Sequence, residues 1–250
     1  VDMLGAYNGD IIADFMIGAP GYNSSRGAVY MMFAQIPASH IDLATFSSGK
    51  SGFLIQGASP GDELGTDVSL VLDTNNNGLY DIAISTVTLD DGLNYFGKTY
   101  ILYGQSSSSN ANKNFSTIDL SMFTSGSTFY EIVVPGSAGK ASYSLGQTGD
   151  LNGDGISDIL IGSPLHNSIG TAFVVLGSKS GEVRSTIDLS NHPFPGYALF
   201  GKNINESAGY SVSGIGDINH DGLSDFAIGA PGGLCADGSA CGKLYVVYGS

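Results

Sequence analysis

A fifteen-residue phrase recurs four times along the chain, and this repetition limits the fold more than any other feature. The copies are AYNGDIIADFMIGAP from Ala6, DTNNNGLYDIAISTV from Asp73, DLNGDGISDILIGSP from Asp150 and DINHDGLSDFAIGAP from Asp217. Each is followed by a second shared phrase: GAVYMMF from Gly27, GKTYILYG from Gly97, GTAFVVLG from Gly170 and GKLYVVYG from Gly242. A third, IDL, stands at Ile41, Ile118 and Ile187 and precedes an aromatic-rich run such as GFLIQG or GYALFG. Ahead of the last three acidic stretches lies a fourth: TDVSLVL, SYSLGQT and GYSVSGI.

Each unit therefore holds about four strand-like segments, short, apolar, rich in aromatic and β-branched residues and bounded by Gly, Ser, Asn or Pro. No stretch keeps a helical period. Four-stranded units repeating at this interval predict an all-β chain folded as a β-propeller of four-stranded blades. The units run over about 1–57, 58–136, 137–204 and 205–250 of a single 1–250 propeller region. The first unit shows no strand one and the last stops just after strand three. An open blade edge invites aggregation, so the chain is expected to be a piece of a longer propeller, or to receive its missing strands from elsewhere.

The acidic loops are the candidate sites. In the third copy, Asp150, Asn152, Asp154 and Asp158 place side-chain oxygens at positions 1, 3, 5 and 9, Gly155 at position 6 permits a sharp turn, and Ile156 at position 7 offers a carbonyl. Crowded hard oxygens suit Ca²⁺, which takes six to eight of them. The fourth copy repeats the set with Asp217, Asn219, Asp221, Leu223 and Asp225. The second has Asp73, Asn75, Asn77, Leu79 and Asp81, one carboxylate fewer. The first keeps Asn8, Asp10, Ile12 and Asp14 but carries Ala6 at position 1 and Ile11 in place of the Gly. Calcium affinity is expected to fall from the third and fourth loops to the second and then the first. An EF-hand is excluded, because position 12 is Ile161 or Ile228 within a strand rather than a Glu before a helix.

The formal net charge is −14, and ten of the acids stand in the four loops. Such a chain repels nucleic acid and anionic membrane, and no apolar run is long enough to span a bilayer. Cys235 and Cys241, close together in CADGSAC, read as a local disulfide and so as an oxidising, extracellular setting, with two free thiols as the alternative. Glycosylation-type triplets begin at Asn23, Asn114 and Asn205.

GDLNGDGISDILIGSP and GDINHDGLSDFAIGAP resemble FG-GAP repeats, as in the β-propeller of integrin α chains. The GAP element stands as Gly18-Ala19-Pro20, Gly162-Ser163-Pro164 and Gly229-Ala230-Pro231. The second copy departs, with Ser85-Thr86-Val87. The FG element is Leu64-Gly65 and Ala208-Gly209, with Ser142 in place of Gly in the third unit. This resemblance implies a propeller of about seven blades, calcium in the strand one–two hairpins, and an extracellular role in binding a protein or matrix ligand. In integrins the ligand meets the opposite face, which here corresponds to loops 21–27, 86–97, 163–170 and 231–242. The second of these holds Asp90, Asp91, Tyr95 and Phe96.

No catalytic set is evident. His40, His166, His192 and His220 stand in unlike contexts, and the paired Asp residues suit calcium better than acid–base work. The alternative to an adhesion-like module is an accessory propeller of a secreted hydrolase, such as a phospholipase, whose catalytic domain lies outside this sequence. A calcium-stiffened spacer is a third reading.

Overall fold

The central strands are apolar on both faces, and this sets the architecture. In the computed structural model, which describes residues 2–3, 7, 12–33, 42–49, 51–90, 94–104, 116–122, 129–136, 141–179, 184–191 and 193–250, they form four multi-stranded sheets. The first consists of β1 (Asp2–Met3), β2 (Phe15–Ala19), β3 (Ala28–Met32) and β4 (Gly52–Gln56), antiparallel and side by side in chain order. The second holds β5 (Val68–Leu72), β6 (Asp81–Asp90) and β7 (Asn94–Leu102). Next along the chain, β8 (Ile118–Asp119) leaves to join another sheet, and β9 (Phe129–Gly136) completes the set. The third holds β10 (Ser144–Gly149), β11 (Asp158–Ser163) and β12 (Thr171–Val175). Here β13 (Ile187–Asp188) leaves and β14 (Gly196–Phe200) completes the sheet. The fourth holds β15 (Ser211–Gly216), β16 (Asp225–Ala230) and β17 (Lys243–Val247). These are propeller blades.

The hydrophobic cores lie between successive blades. Met16, Val29 and Ile55 of blade 1 pack on Ile82, Ile84 and Leu102 of blade 2. The opposite face of blade 2, with Ala83, Ile101 and Ile132, packs on Ile159, Ile161 and Phe173 of blade 3. Leu160, Ala172 and Val174 then meet Val212, Phe226 and Ile228 of blade 4. Adjacent residues in a strand point to opposite faces, so burial of both faces produces the uninterrupted apolar runs.

The FG and GAP glycines mark where backbone meets backbone between blades. A Cβ on Gly18 would lie 2.2 Å from the Gly65 carbonyl oxygen, and one on Gly162 would lie 2.1 Å from that of Gly209. Gly65 and Gly209 also adopt φ of 87° and 83°, favoured by glycine. At the junction of blades 2 and 3 both partners of the pair are serine, Ser85 and Ser142, and both are fully buried. Ser85 accepts a hydrogen bond from the Asp67 amide at 2.8 Å, while the Ser142 and Thr99 hydroxyls are 2.6 Å apart. The two departures from the motif thus fall at one junction, where hydroxyl bonds replace close glycine contact.

Three expectations change. Asp2 and Met3 pair with Met16 and Phe15, so a two-residue strand does occupy the strand-one position of the first unit. Two of the IDL segments do not stay in their own blades: Ile118 pairs in parallel with Ile55, and Ile187 with Ile132, each clasping the outer strand of the preceding blade, while Ile41 lies outside the described residues. The loop expected over 86–97 is largely strand, because β6 and β7 pair from Ile82↔Leu102 to Asp90↔Asn94.

Candidate functional site

The three described strand one–two hairpins are built alike. Each ladder shifts register just before the loop, between Leu70 and Leu72, Gln147 and Gly149, and Gly214 and Gly216. The residue ahead of position 1 is left-handed in every case: Leu72 at φ 58°, Gly149 at 78° and Gly216 at 73°. A bulge with glycine in this conformation is a low-strain way to turn a strand aside, and Leu72 takes it at a steric cost. Positions 4 and 6 are left-handed too, as Asn76 and Gly78, Gly153 and Gly155, and His220 and Gly222.

These turns gather amides around the first carboxylate. Asp150 accepts from the Gly153 and Gly155 amides at 2.7 and 2.8 Å. Asn152 accepts from the Asp154 amide at 3.0 Å, and Asp154 from that of Ile156 at 3.0 Å. Asp217, Asn219 and Asp221 repeat this with Gly222, Asp221 and Leu223 as donors. So do Asp73, Asn75 and Asn77 with Gly78, Asn77 and Leu79. In the first loop Asn8 and Asp10 lie outside the described residues. Ile12 is exposed and Asp14 is fully buried.

Position 9 has a structural task that its spacing does not reveal. Asp158 is fully buried; one oxygen accepts from the Leu151 amide at 2.9 Å and the other from the Gly177 amide at 2.9 Å. Asp225 does the same with Ile218 and Gly249, and Asp81 with Thr74 and Gly104. Each therefore ties the start of the loop to the end of strand three. Burial pushes the Asp158 carboxyl up to about 6 against those two bonds, and the charges of Asp154 and Asp150 push the same way. Asp81 is likewise raised to about 6, chiefly by burial.

The hairpins also join blades. The Asp73 carbonyl accepts from the Ser157 amide, and the Asp150 carbonyl from the Ser224 amide at 2.9 Å. One residue on, the Thr74 and Leu151 carbonyls accept from Ser178 and Ser250 at 2.8 and 2.9 Å. A loop that loosens therefore releases the next blade as well as its own.

At the other end of the blades, Cys235 and Cys241 form a disulfide with their Cα atoms 5.6 Å apart, closing the strand two–three turn of blade 4. Asn23 and Asn205 are exposed, and Asn114 lies outside the described residues. His166 packs against Phe173 and Phe200, and burial lowers its pKa.

The donor set of the hairpins suits a hard divalent cation: side-chain carboxylate and amide oxygens recur at positions 1, 3, 5 and 9 of each described loop. Among the described residues, no three Asp, Glu, His or Cys side chains already form a metal-holding group. Most of their inward oxygens point at loop amides.

The FG-GAP repeat matches residues 142–175 and 208–247, the third and fourth units. The class is thus an all-β chain of propeller blades carrying FG-GAP repeats. More particularly, it is similar to integrin alpha-4 of Xenopus laevis, 35% identical over 104 residues, covering 40% of this chain and 9% of that protein. It is also similar to integrin alpha-PS2 of Drosophila melanogaster, 34% identical over 119 residues (43% and 8%). Phosphatidylinositol-glycan-specific phospholipase D of Bos taurus is 30% identical over 226 residues, 79% of this chain and 24% of that protein. The chain spans less than a quarter of the length of each.

Proposed function

We propose that the chain is a calcium-binding, extracellular β-propeller module that engages a protein or matrix ligand, with calcium stiffening its strand one–two hairpins. The observation that carries this is the threefold recurrence, in phase, of one loop fold offering oxygens at positions 1, 3, 5, 7 and 9. Asp150, Asn152, Asp154 and Asp158, with the Ile156 carbonyl, would hold the ion in the third loop. Asp217, Asn219, Asp221 and Asp225, with the Leu223 carbonyl, would hold it in the fourth. Asp73, Asn75, Asn77, Asp81 and the Leu79 carbonyl form a weaker set, and Asn8, Asp10, Asp14 and the Ile12 carbonyl a weaker one still. Bound there, the ion supplies charge neutralisation and ties the loop oxygens together. The role is structural, so the chain itself is read as a binding module and not an enzyme.

An extracellular setting is supported by the disulfide and by the names of the relatives. Among the described residues no helix is long and apolar enough to cross a membrane. Calorimetric titration of chelator-treated protein with Ca²⁺ tests the reading: two tight sites, one weaker and the first loop weakest are expected, and absence of any heat at millimolar Ca²⁺ would overturn it.

A second reading, an accessory propeller of a secreted hydrolase, is favoured by the phospholipase similarity, which runs over 79% of this chain. A hydrolase domain in the full-length protein would support it, whereas a membrane anchor with further β-domains would support adhesion.

A further inference from the structure

A cleft of about 550 Å³ opens between blades 1 and 2, lined by Ser59, Lys98, Tyr100, Phe129, Glu131 and Thr186 among others. Its volume falls within the range of small-ligand sites, ~300–1,000 Å³. Lys98 Nζ lies 3.2 Å from Glu131 Oε2, and the Thr186 hydroxyl donates to Glu131 Oε1 at 3.2 Å. Tyr100 lines the cleft and is only 4% exposed, with its ring against Phe129. Burial raises its pKa, and the nearby charges of Glu131 and Asp62 raise it further.

The repeat supplies its own comparison. In blade 4, Lys243 and Tyr245 stand at the positions of Lys98 and Tyr100, in GKLY against GKTY. There a single oxygen of the buried Glu206 accepts from both the Lys243 ammonium, at 3.1 Å, and the Tyr245 hydroxyl. Its other oxygen accepts from the Lys202 and Asn203 amides. In blade 2 the matching acid is Asp62, three residues before Gly65 as Glu206 is before Gly209. Asp62 is one methylene shorter. It bonds the turn amide of Ser59 at 2.7 Å and makes no hydrogen bond to Lys98 or Tyr100. Blade 3 carries Thr171 and Phe173 at these positions, and Phe173 pairs with Ala198 where Tyr100 pairs with Glu131. The charged cleft is therefore particular to blade 2 and not a by-product of the repeat.

We propose that this cleft binds a neutral polyhydroxylated ligand, a sugar residue of a glycan, with one ligand hydroxyl taking the oxygen position between Lys98 and Tyr100 that Glu206 fills in blade 4. The local charge balance selects against an acid: two cations, Lys98 and Arg26, face three carboxylates, Glu131, Asp62 and Asp119, and Arg26 is already paired with Asp119. A hydroxyl can accept from Lys98 and Tyr100 while donating to Glu131, which a carboxylate cannot do. Ser59, Ser121, Ser185 and Thr186 offer further donors and acceptors around the rim. The cleft holds none of the hairpin carboxylates, so its test is independent of calcium.

Saturation-transfer NMR and titration with methyl mannoside, lactose and chitobiose, at fixed Ca²⁺, test the proposal. At least one neutral sugar should bind the wild-type chain, and glucuronate should bind more weakly. Tyr100→Phe should weaken binding about tenfold, the loss of one hydrogen bond. Its melting temperature should change little, because the ring and its packing on Phe129 are kept. Asp62→Glu should reach Lys98 and Tyr100 as Glu206 reaches their counterparts, abolishing sugar binding while raising the melting temperature. No binding of any of the three sugars, tighter binding of glucuronate, or unchanged affinity in Tyr100→Phe would each overturn it.

Discussion

Gly162→Ala places a methyl group where one blade's backbone lies against the next. Gly162 is not in a left-handed conformation, so the effect is steric alone. The new Cβ would stand 2.1 Å from the Gly209 carbonyl oxygen and 2.3 Å from Ser144 Oγ. Relief requires roughly 1 Å of separation between β11 and the turn packed on it, and overpacking of this kind costs ~1–3 kcal/mol. Because the main obstacle is a backbone carbonyl, that of Gly209 in the turn ahead of β15, and not a rotatable side chain, the upper end applies, about 3 kcal/mol. For a domain of this size that lowers the melting temperature by about 6–12 °C. The second blade provides the control. Ser85 already carries a Cβ at the matching position, so Ser85→Ala loses only its hydroxyl's bonds, from the Asp67 amide at 2.8 Å and to the Asp67 carbonyl at 3.3 Å, about 1–2 kcal/mol. Urea unfolding of both variants at fixed Ca²⁺ measures the difference. A Gly162→Ala cost below about 0.5 kcal/mol, or one no larger than that of Ser85→Ala, would refute the explanation of the GAP glycine.

Three other outcomes follow from the geometry. Burial opposes the charge of Glu206, but bonds from Tyr245, Asn203, Lys243 and Lys202 outweigh it and bring its pKa down to about 2. A carboxyl depressed in the folded state contributes stability above its unfolded pKa, so up to about 3 kcal/mol should be lost as the pH falls from about 4.5 to about 2, seen by urea unfolding at stepped pH and absent in Glu206→Gln. Asp154→Asn should weaken Ca²⁺ binding by calorimetry yet leave the melting temperature in chelator nearly unchanged, since Asp154 is exposed and its side chain accepts only from the Ile156 amide and the exposed Asn152 side chain. Asp158→Ala should instead lower the stability even in chelator, by ~2 kcal/mol or more in urea unfolding, because the buried Leu151 amide and the half-buried Gly177 amide lose their acceptor.

The blades were legible in the sequence because burial on both faces writes apolar runs such as Asp158–Ser163 in phase along the chain. The left-handed turns at Gly78, Gly155 and Gly222 were legible for the same reason: one residue type recurs where one conformation recurs. The IDL segments were not, since two residues carry no period and their partners, Ile55 and Ile132, lie in the preceding unit. Position 9 was read only as a ligand because its amide partners, Gly104, Gly177 and Gly249, are 19 to 24 residues away. The cleft rests on one methylene, Asp62 against Glu206, a signal present in the aligned units but meaningless until Tyr245 and Lys243 are seen to share the longer acid.

The central claim is that calcium holds the hairpins, and through the carbonyls of Asp73 and Asp150 the blades. Thermal unfolding at pH 7 in chelator and in rising Ca²⁺ tests it most directly. The midpoint should climb with Ca²⁺ concentration, by the equivalent of about 2.7 kcal/mol at a hundredfold excess over the dissociation constant of a single site. The climb should shrink in an Asp154→Asn, Asp221→Asn double variant. A midpoint unmoved by millimolar Ca²⁺ would contradict the account.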